Sequence, residues 1–159
     1  MKFDPKLMKK DFPIFKNKQI IYFDNASTTQ KPKQVVNAMV NFYENYNANV
    51  HRGVYQIAEK ATQKYENARN IIANFINAND DEVIFTKGTT ESINIVANAI
   101  SKELNQGDEI IISEMEHHSN IIPWIMLSKN NDIKINYIPV LDDGRLNLEQ
   151  LNKIITSKT

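Results

Sequence analysis

Cysteine is absent from this chain. These residues therefore hold no disulfide, no thiolate metal site and no thiol nucleophile. An excess of charge is absent too: 19 basic and 19 acidic residues balance to +0, so the overall electrostatics do not point to nucleic acid or to an anionic membrane. No apolar run approaches the ~18 residues of a spanning helix, and Met1-Lys2-Phe3-Asp4-Pro5 has no apolar signal core. The expected setting is cytoplasmic, with no nucleic acid and no membrane as partner. Arginine is scarce: Arg52, Arg69 and Arg145 are the only three. Their planar guanidinium forks make them better candidates than the lysines for a specific carboxylate contact.

What is present suits a soluble globular protein. The 159 residues are 42% hydrophobic and 24% charged, enough to bury a core without staples, and one domain is the default reading. Residues 1–18 read as an N-terminal arm, with a short helix from Pro5 to Lys10 broken at Asp11-Phe12-Pro13. Ile20 to Phe23 has the β preference of a short strand. Pro32 suits the first position of a helix in which Val35, Val36, Met39, Val40 and Tyr43 recur at helical spacing. Asn45 to Gly53 is a polar loop. Ile57, Ala61, Tyr65, Ala68, Ile72 and Phe75 then form one helical stripe, expected to pack as core.

After Asn77-Ala78-Asn79-Asp80 the rhythm changes. Val83–Phe85, Glu109–Ser113 and Lys134–Pro139 read as strands, and Thr89–Leu104, Asn120–Ser128 and Leu148–Ile155 as helices. This alternation predicts an α/β fold of parallel βαβ units. Ile110-Ile111-Ile112 is apolar throughout, as in a strand buried on both faces. Three such strands leave a bare sheet edge, and Thr159 falls where the next strand is due. The expectation is the first part of a larger domain.

Two segments carry the strongest chemistry. Thr86-Lys87-Gly88-Thr89-Thr90-Glu91 leaves a strand, turns on glycine and opens a helix. Free backbone N–H groups and the positive dipole end form an anion site there, and Thr89 and Thr90 add hydroxyl donors. The same residues also suit a plain capped helix start. It is not a Walker loop, since no Gly-Lys-Ser/Thr follows. Glu114-Met115-Glu116-His117-His118 lies at the carboxyl end of the strand 109–113, the edge where open α/β sheets bind ligands. An imidazole there stacks on a planar ring or shuttles a proton, or is simply exposed on a loop. A metal reading with Glu114, Glu116 and His51 matches neither H-E-x-x-H nor H-x-x-E-H.

Two weaker segments join them. His51-Arg52-Gly53 suits anion recognition or a surface loop entering a helix. Asp24-Asn25-Ala26-Ser27 permits close approach of a ligand to backbone, or forms a plain turn. No basic groove accompanies Trp124 and the tyrosines, so packing suits them better than base stacking.

Taken in order, residues 22–32 (YFDNASTTQKP), 49–53 (NVHRG), 88–94 (GTTESIN) and 116–124 (EHHSNIIPW) resemble the SUF-type, or group II, cysteine desulfurases. These share a branch of the class V aminotransferase family with the selenocysteine lyases. The resemblance runs from about Asp11 to the C-terminus. It implies a fold type I pyridoxal-phosphate-dependent transferase, with residues 19–159 as the amino-terminal part of its large parallel or mixed-sheet domain. The implied reaction removes sulfur from L-cysteine, with L-selenocysteine as the related substrate, and leaves L-alanine and an enzyme persulfide. The implied partners are a sulfur-acceptor protein of iron–sulfur cluster assembly and, at full length, a second copy in a homodimer.

By the same resemblance, Gly88, Thr89 and Thr90 hold the cofactor phosphate. His117 stacks on the pyridine ring and takes part in proton transfer. His51 and Arg52 lie near the active-site entrance or dimer contact, and Asp24, Asn25 and Ala26 near the substrate. Ser27 departs from the family's usual alanine, a small change. The family's Schiff-base lysine in a Ser-x-His-Lys context, its pyridinium-pairing aspartate and its acceptor cysteine are not among these residues. The 159 residues alone are therefore expected to be inactive. Two other readings keep the pattern: another class V lyase, epimerase or aminotransferase, and a non-catalytic truncated interaction module.

Overall fold

The computed structural model describes residues 3–16 and 20–159, so parts of the expected arm, residues 1–2 and 17–18, lie outside the described residues. Two compact units are resolved, Met1–Val83 and Ile84–Thr159.

In the first unit, α1 (Pro5–Met8) starts where Asp4 Oδ1 accepts from the N–H groups of Lys6 and Leu7 at 2.9 and 3.3 Å. Extended Phe12 then separates two short 3-10 turns, as the Asp11-Phe12-Pro13 break predicts. Ile20–Phe23 is not the expected strand. Its chain folds back instead: the Tyr22 hydroxyl donates to the carbonyls of Asp24 and Thr28, and Ile21 and Phe23 are exposed. β preference makes a strand only where a partner supplies the ladder.

Helix α2 (Lys33–Asn45) takes Pro32 as its N-cap, one residue before the expected position. Helix α3 (Gln56–Ile76) ends where Asn77 turns left-handed at φ 57°. Of the stripe expected to be core on α3 only Ala61 is buried, while Ile57, Ala68, Ile72 and Phe75 are exposed; the other buried residues of the helix, Ala58 and Ala73, lie off it. Val83–Phe85 also differs from expectation, running extended without joining a sheet. The Arg69 guanidinium takes the Val83 carbonyl that a ladder would have used.

The second unit holds α4 (Thr89–Ile100), β1 (Glu109–Ser113), α5 (Ile122–Asn131), β2 (Lys134–Ile138) and α6 (Leu148–Ile154). α4 is shorter than expected; residues 101–103 continue as turns, with the Ser101 hydroxyl bonded to the Asn98 carbonyl at 2.7 Å. The strands β1 and β2 pair in parallel, from Glu109 opposite Lys134 to Ser113 opposite Ile138. The sheet thus has two strands among the described residues, where three were expected. The ladder reaches one step past each end, through Lys134 N–H to the Asp108 carbonyl and Glu114 N–H to the Ile138 carbonyl.

α4 and α5 pack against each other over Ala97, Leu127 and Ile133, with Leu104, Ile110 and Trp124 closing around them. Ile112 is buried, but Ile110 and Ile111 are only half-buried, less than burial on both faces requires. Gly144 at φ 83° makes the expected turn, its N–H donating to the Leu141 carbonyl at 2.8 Å.

Candidate functional site

The second unit places two of the sequence-derived elements near one helix pair. Gly88 is the N-cap of α4, at φ 154° and ψ 177°. That region belongs almost entirely to glycine. A Cβ built there meets nothing within 4 Å, so the demand is on the backbone and not on space. The turn is held from inside. The Gly88 carbonyl accepts from Ser92 N–H at 3.1 Å, and from the Ser92 and Thr86 hydroxyls at 3.3 Å each. Those two hydroxyl oxygens lie 2.7 Å apart, and Lys87 N–H donates back to the Glu91 carboxylate. No side chain caps the first-turn N–H groups of α4, and Thr89 and Thr90 are exposed. Uncapped N–H groups, a positive helix end and two hydroxyls therefore face outward together.

His117 stands between β1 and α5, just before the 3-10 turn His118–Asn120, and α4 packs against that turn. Its Nδ1 accepts from Ser119 N–H at 3.1 Å and lies 3.0 Å from the Ser119 hydroxyl oxygen. A nitrogen that accepts from a backbone N–H carries no proton, so the neutral ring has its proton on Nε2. The ring is exposed, and His118 meets it edge-on at 6.1 Å between centroids.

The two carboxylates that precede it in the chain are engaged. Glu116 Oε1 accepts from the Ser113 hydroxyl at 2.7 Å and its Oε2 from Asn120 Nδ2 at 2.9 Å, while Asn120 Oδ1 accepts from Trp124 Nε1 at 2.9 Å. The amide of Asn120, then the hydroxyl of Ser113, favour the ionised carboxyl and hold Glu116 below its ordinary value, against a smaller opposing effect of burial. Glu114 Oε2 accepts from Val140 N–H at 3.0 Å. Among the described residues no cluster of His, Cys, Asp or Glu forms a metal site.

The remaining candidates are in the first unit. His51 has a left-handed backbone, φ 68°, and is clasped to α3. Its N–H donates to Thr62 Oγ1 at 2.9 Å, its Nε2 meets Glu66 Oε1 at 3.1 Å, and its ring lies edge-on to Tyr65 at 5.5 Å. Glu66 is shared, since its Oε2 accepts from Arg69 Nε at 3.0 Å. Arg52, next to this clasp, is exposed. Asp24, Asn25 and Ala26 form an exposed turn closed by Thr28 N–H to the Asp24 carbonyl at 2.9 Å.

Sequence reasoning missed the supporting residues. Ser113, Asn120 and Trp124 hold the His117 segment, and Thr62 and Glu66 hold His51. The signal was a spacing of four, in 116-120-124 and in 62-66, but two of the first three, 116 and 120, lie outside any α-helix.

The Aminotransferase class-V family profile matches residues 21–159. This chain belongs to that family. A probable cysteine desulfurase of Streptomyces coelicolor is 47% identical to it, over 98% of this chain and 40% of that protein. The apo structure of the cysteine desulfurase from Thermococcus onnurineus superposes with a TM-score of 0.89 at 41% identity, covering 96% of this chain and 38% of that one. A C-DES mutant with glycine covalently linked to its PLP cofactor shares the fold alone, with a TM-score of 0.72 at 22% identity over 95% of this chain and 38% of that one. The chain thus spans about 40% of the length of the curated relatives it matches. The architecture is α/β, part of the pyridoxal-phosphate-dependent fold of these neighbours, and no helix among the described residues is long and apolar enough to cross a membrane.

Proposed function

We propose that this chain supplies the phosphate-binding turn and the ring-stacking histidine of a cysteine desulfurase. Pyridoxal phosphate is the cofactor that family membership indicates. The observation that carries the reading is the Gly88 turn, an outward-facing, uncapped helix start whose backbone only glycine adopts. The donor set fits a phosphate: backbone N–H groups, two threonine hydroxyls and a helix N-terminus, with no carboxylate facing outward to oppose it, since Glu91 bonds back to Lys87 N–H.

Bound there, the cofactor supplies the electron sink that lets a carbon–sulfur bond break. Gly88, Thr89 and Thr90 would hold its phosphate. His117, anchored through Nδ1, presents a flat ring and an Nε2–H, suited to stacking and to donating a hydrogen bond. Arg52 offers an exposed guanidinium for a carboxylate near the entrance, and Asp24, Asn25 and Ala26 a close-approach backbone beside the substrate.

The reaction is L-cysteine plus an enzyme thiol giving L-alanine plus an enzyme persulfide. By the family resemblance, its thiol, its cofactor-bonding lysine and the pyridinium partner would come from residues outside these 159, which span 40% of the length of the Streptomyces coelicolor relative. Residues 1–18 serve as an arm ahead of the cofactor domain that begins at 19. The full-length protein works as a cytoplasmic homodimer and passes sulfur to an acceptor protein for iron–sulfur clusters. Membership of the class V aminotransferase family supports this setting.

The test is the full-length protein with added pyridoxal phosphate and L-cysteine. Equal amounts of L-alanine and protein-bound sulfane sulfur are the expected result. An amino-group transfer to a keto acid, with no alanine from cysteine, refutes the assignment.

A further inference from the structure

We infer that Glu116 is a positioning residue that staples the β1-to-α5 segment and thereby fixes which ring nitrogen His117 presents. The inference deepens the proposed role of His117 and rests on it for its functional consequence. Its structural consequence stands apart.

The geometry is a directed chain of hydrogen bonds. The indole N–H of Trp124 can only donate, so it fixes the Asn120 side chain with Oδ1 toward α5. Asn120 is then left with its NH2 toward residue 116, which must accept. Glu116 does so with Oε2, and with Oε1 takes the hydroxyl of Ser113, a buried residue at the end of β1. Trp124 itself is wedged against the core of Ala97, Leu127 and Ile133. One carboxylate thus ties the strand end to the 3-10 turn, and through Asn120 to the helix.

The stapled span, 116 to 120, encloses both contacts of His117 Nδ1: the Ser119 hydroxyl oxygen at 3.0 Å and the Ser119 N–H at 3.1 Å, of which the second sets the tautomer. That bond needs the His117–Ser119 backbone held in its turn. When the staple opens, the turn keeps only its backbone bonds, from Asn120 N–H to the His117 carbonyl at 2.8 Å and from Ile121 N–H to the His118 carbonyl at 3.1 Å; Ser119 N–H then drifts from Nδ1 and the proton is free to sit on either nitrogen. The wild-type protein keeps one tautomer, so every His117 offers the same Nε2–H.

The chain also says which substitutions are tolerated. Glutamine at 116 satisfies both neighbours, with Oε1 toward Asn120 NH2 and its own NH2 toward Ser113, whose hydroxyl can accept as well as donate. Alanine satisfies neither. Aspartate at 120 keeps the bond from Trp124 but sets an oxygen against the Glu116 carboxylate.

The experiment uses the full-length protein labelled with nitrogen-15 in histidine. In the wild type without cofactor, His117 should show an unprotonated Nδ1 and a protonated Nε2. Glu116→Gln should keep that pattern, and Glu116→Ala should give averaged shifts for the two nitrogens. With cofactor and L-cysteine, Glu116→Ala should lower kcat about 10- to 100-fold, the scale of a misplacement near 1 Å, while Glu116→Gln stays within about twofold. If Glu116→Ala does not fold, Asn120→Asp makes the same cut at nearly constant shape and should give the averaged shifts. Unchanged tautomers in both cutting variants overturn the inference, and so does loss of the pattern in Glu116→Gln, which would mean that charge and not hydrogen bonding holds the segment. A wild-type protein that forms no alanine defeats the functional reading, and the tautomer measurement still decides the positioning role.

Discussion

Substituting Gly88→Ala separates backbone chemistry from space at the proposed phosphate site. At φ 154° and ψ 177° this position lies where only glycine is at ease, yet the new methyl group would meet no atom within 4 Å. The variant therefore folds, with the turn relaxed out of the glycine-only region. Binding a phosphate against the α4 N–H groups requires the original turn, so the strain returns at the moment of binding. A residue forced into such a region costs about 1–3 kcal/mol, and at about 1.4 kcal/mol per tenfold that weakens cofactor affinity by roughly 5- to 150-fold. The assay is a pyridoxal-phosphate titration of the full-length apo-protein, read by cofactor absorbance. Gly144→Ala is the control: it also carries a positive φ, 83°, with open space around it, but lies in the turn between β2 and α6. It should lower Tm and leave cofactor affinity unchanged. Equal cofactor affinity in Gly88→Ala and wild type would refute the reasoning, as would an equal loss in Gly144→Ala.

Other consequences follow from the packing and the charges. Leu127→Ala empties the contact between α4 and α5 beside Ala97 and Ile133 and should destabilise the protein by about 2–5 kcal/mol in a denaturant melt; a change below about 0.5 kcal/mol would show that the cluster is not a core. Thr62→Val deletes the hydroxyl that accepts from His51 N–H, leaving a left-handed residue without its anchor. A loss of about 0.5–1.5 kcal/mol and faster amide exchange at His51 are expected, and unaltered exchange would rule out the clasp. Glu116 has a lowered pKa when folded, so its stabilisation is present above the unfolded value, ordinarily 4.5, and is lost as pH falls through the folded one. Glu116→Gln should flatten that acid limb relative to wild type, whereas a difference that appears only above neutral pH would contradict the assigned direction.

Local patterns were legible in the sequence and non-local pairings were not. Pro32 and Asn77 mark helix ends because φ is fixed in proline and left-handed turns suit asparagine, and the helices α2 and α3 follow their apolar spacing to within a few residues. Ile110 to Ile112 was readable as a strand from its unbroken apolar run. Ile20–Phe23 and Val83–Phe85 have the same composition but no ladder, because a strand also depends on what lies beside it. The Gly88 turn was readable since one residue carries its demand. The clasp on His51 was not, because its anchors Thr62 and Glu66 sit on the following helix and only the folded loop brings them to it. The Glu116–Asn120–Trp124 spacing of four was present throughout, but it starts in the loop ahead of the helix expected from Asn120, where spacing is not read.

The most direct measurement is a structure of the full-length protein with pyridoxal phosphate bound. The account predicts the phosphate within hydrogen-bond reach of the Gly88–Thr90 backbone and hydroxyls, and the His117 ring stacked on the pyridine face. A phosphate held elsewhere, or His117 turned away from the cofactor ring, would contradict it.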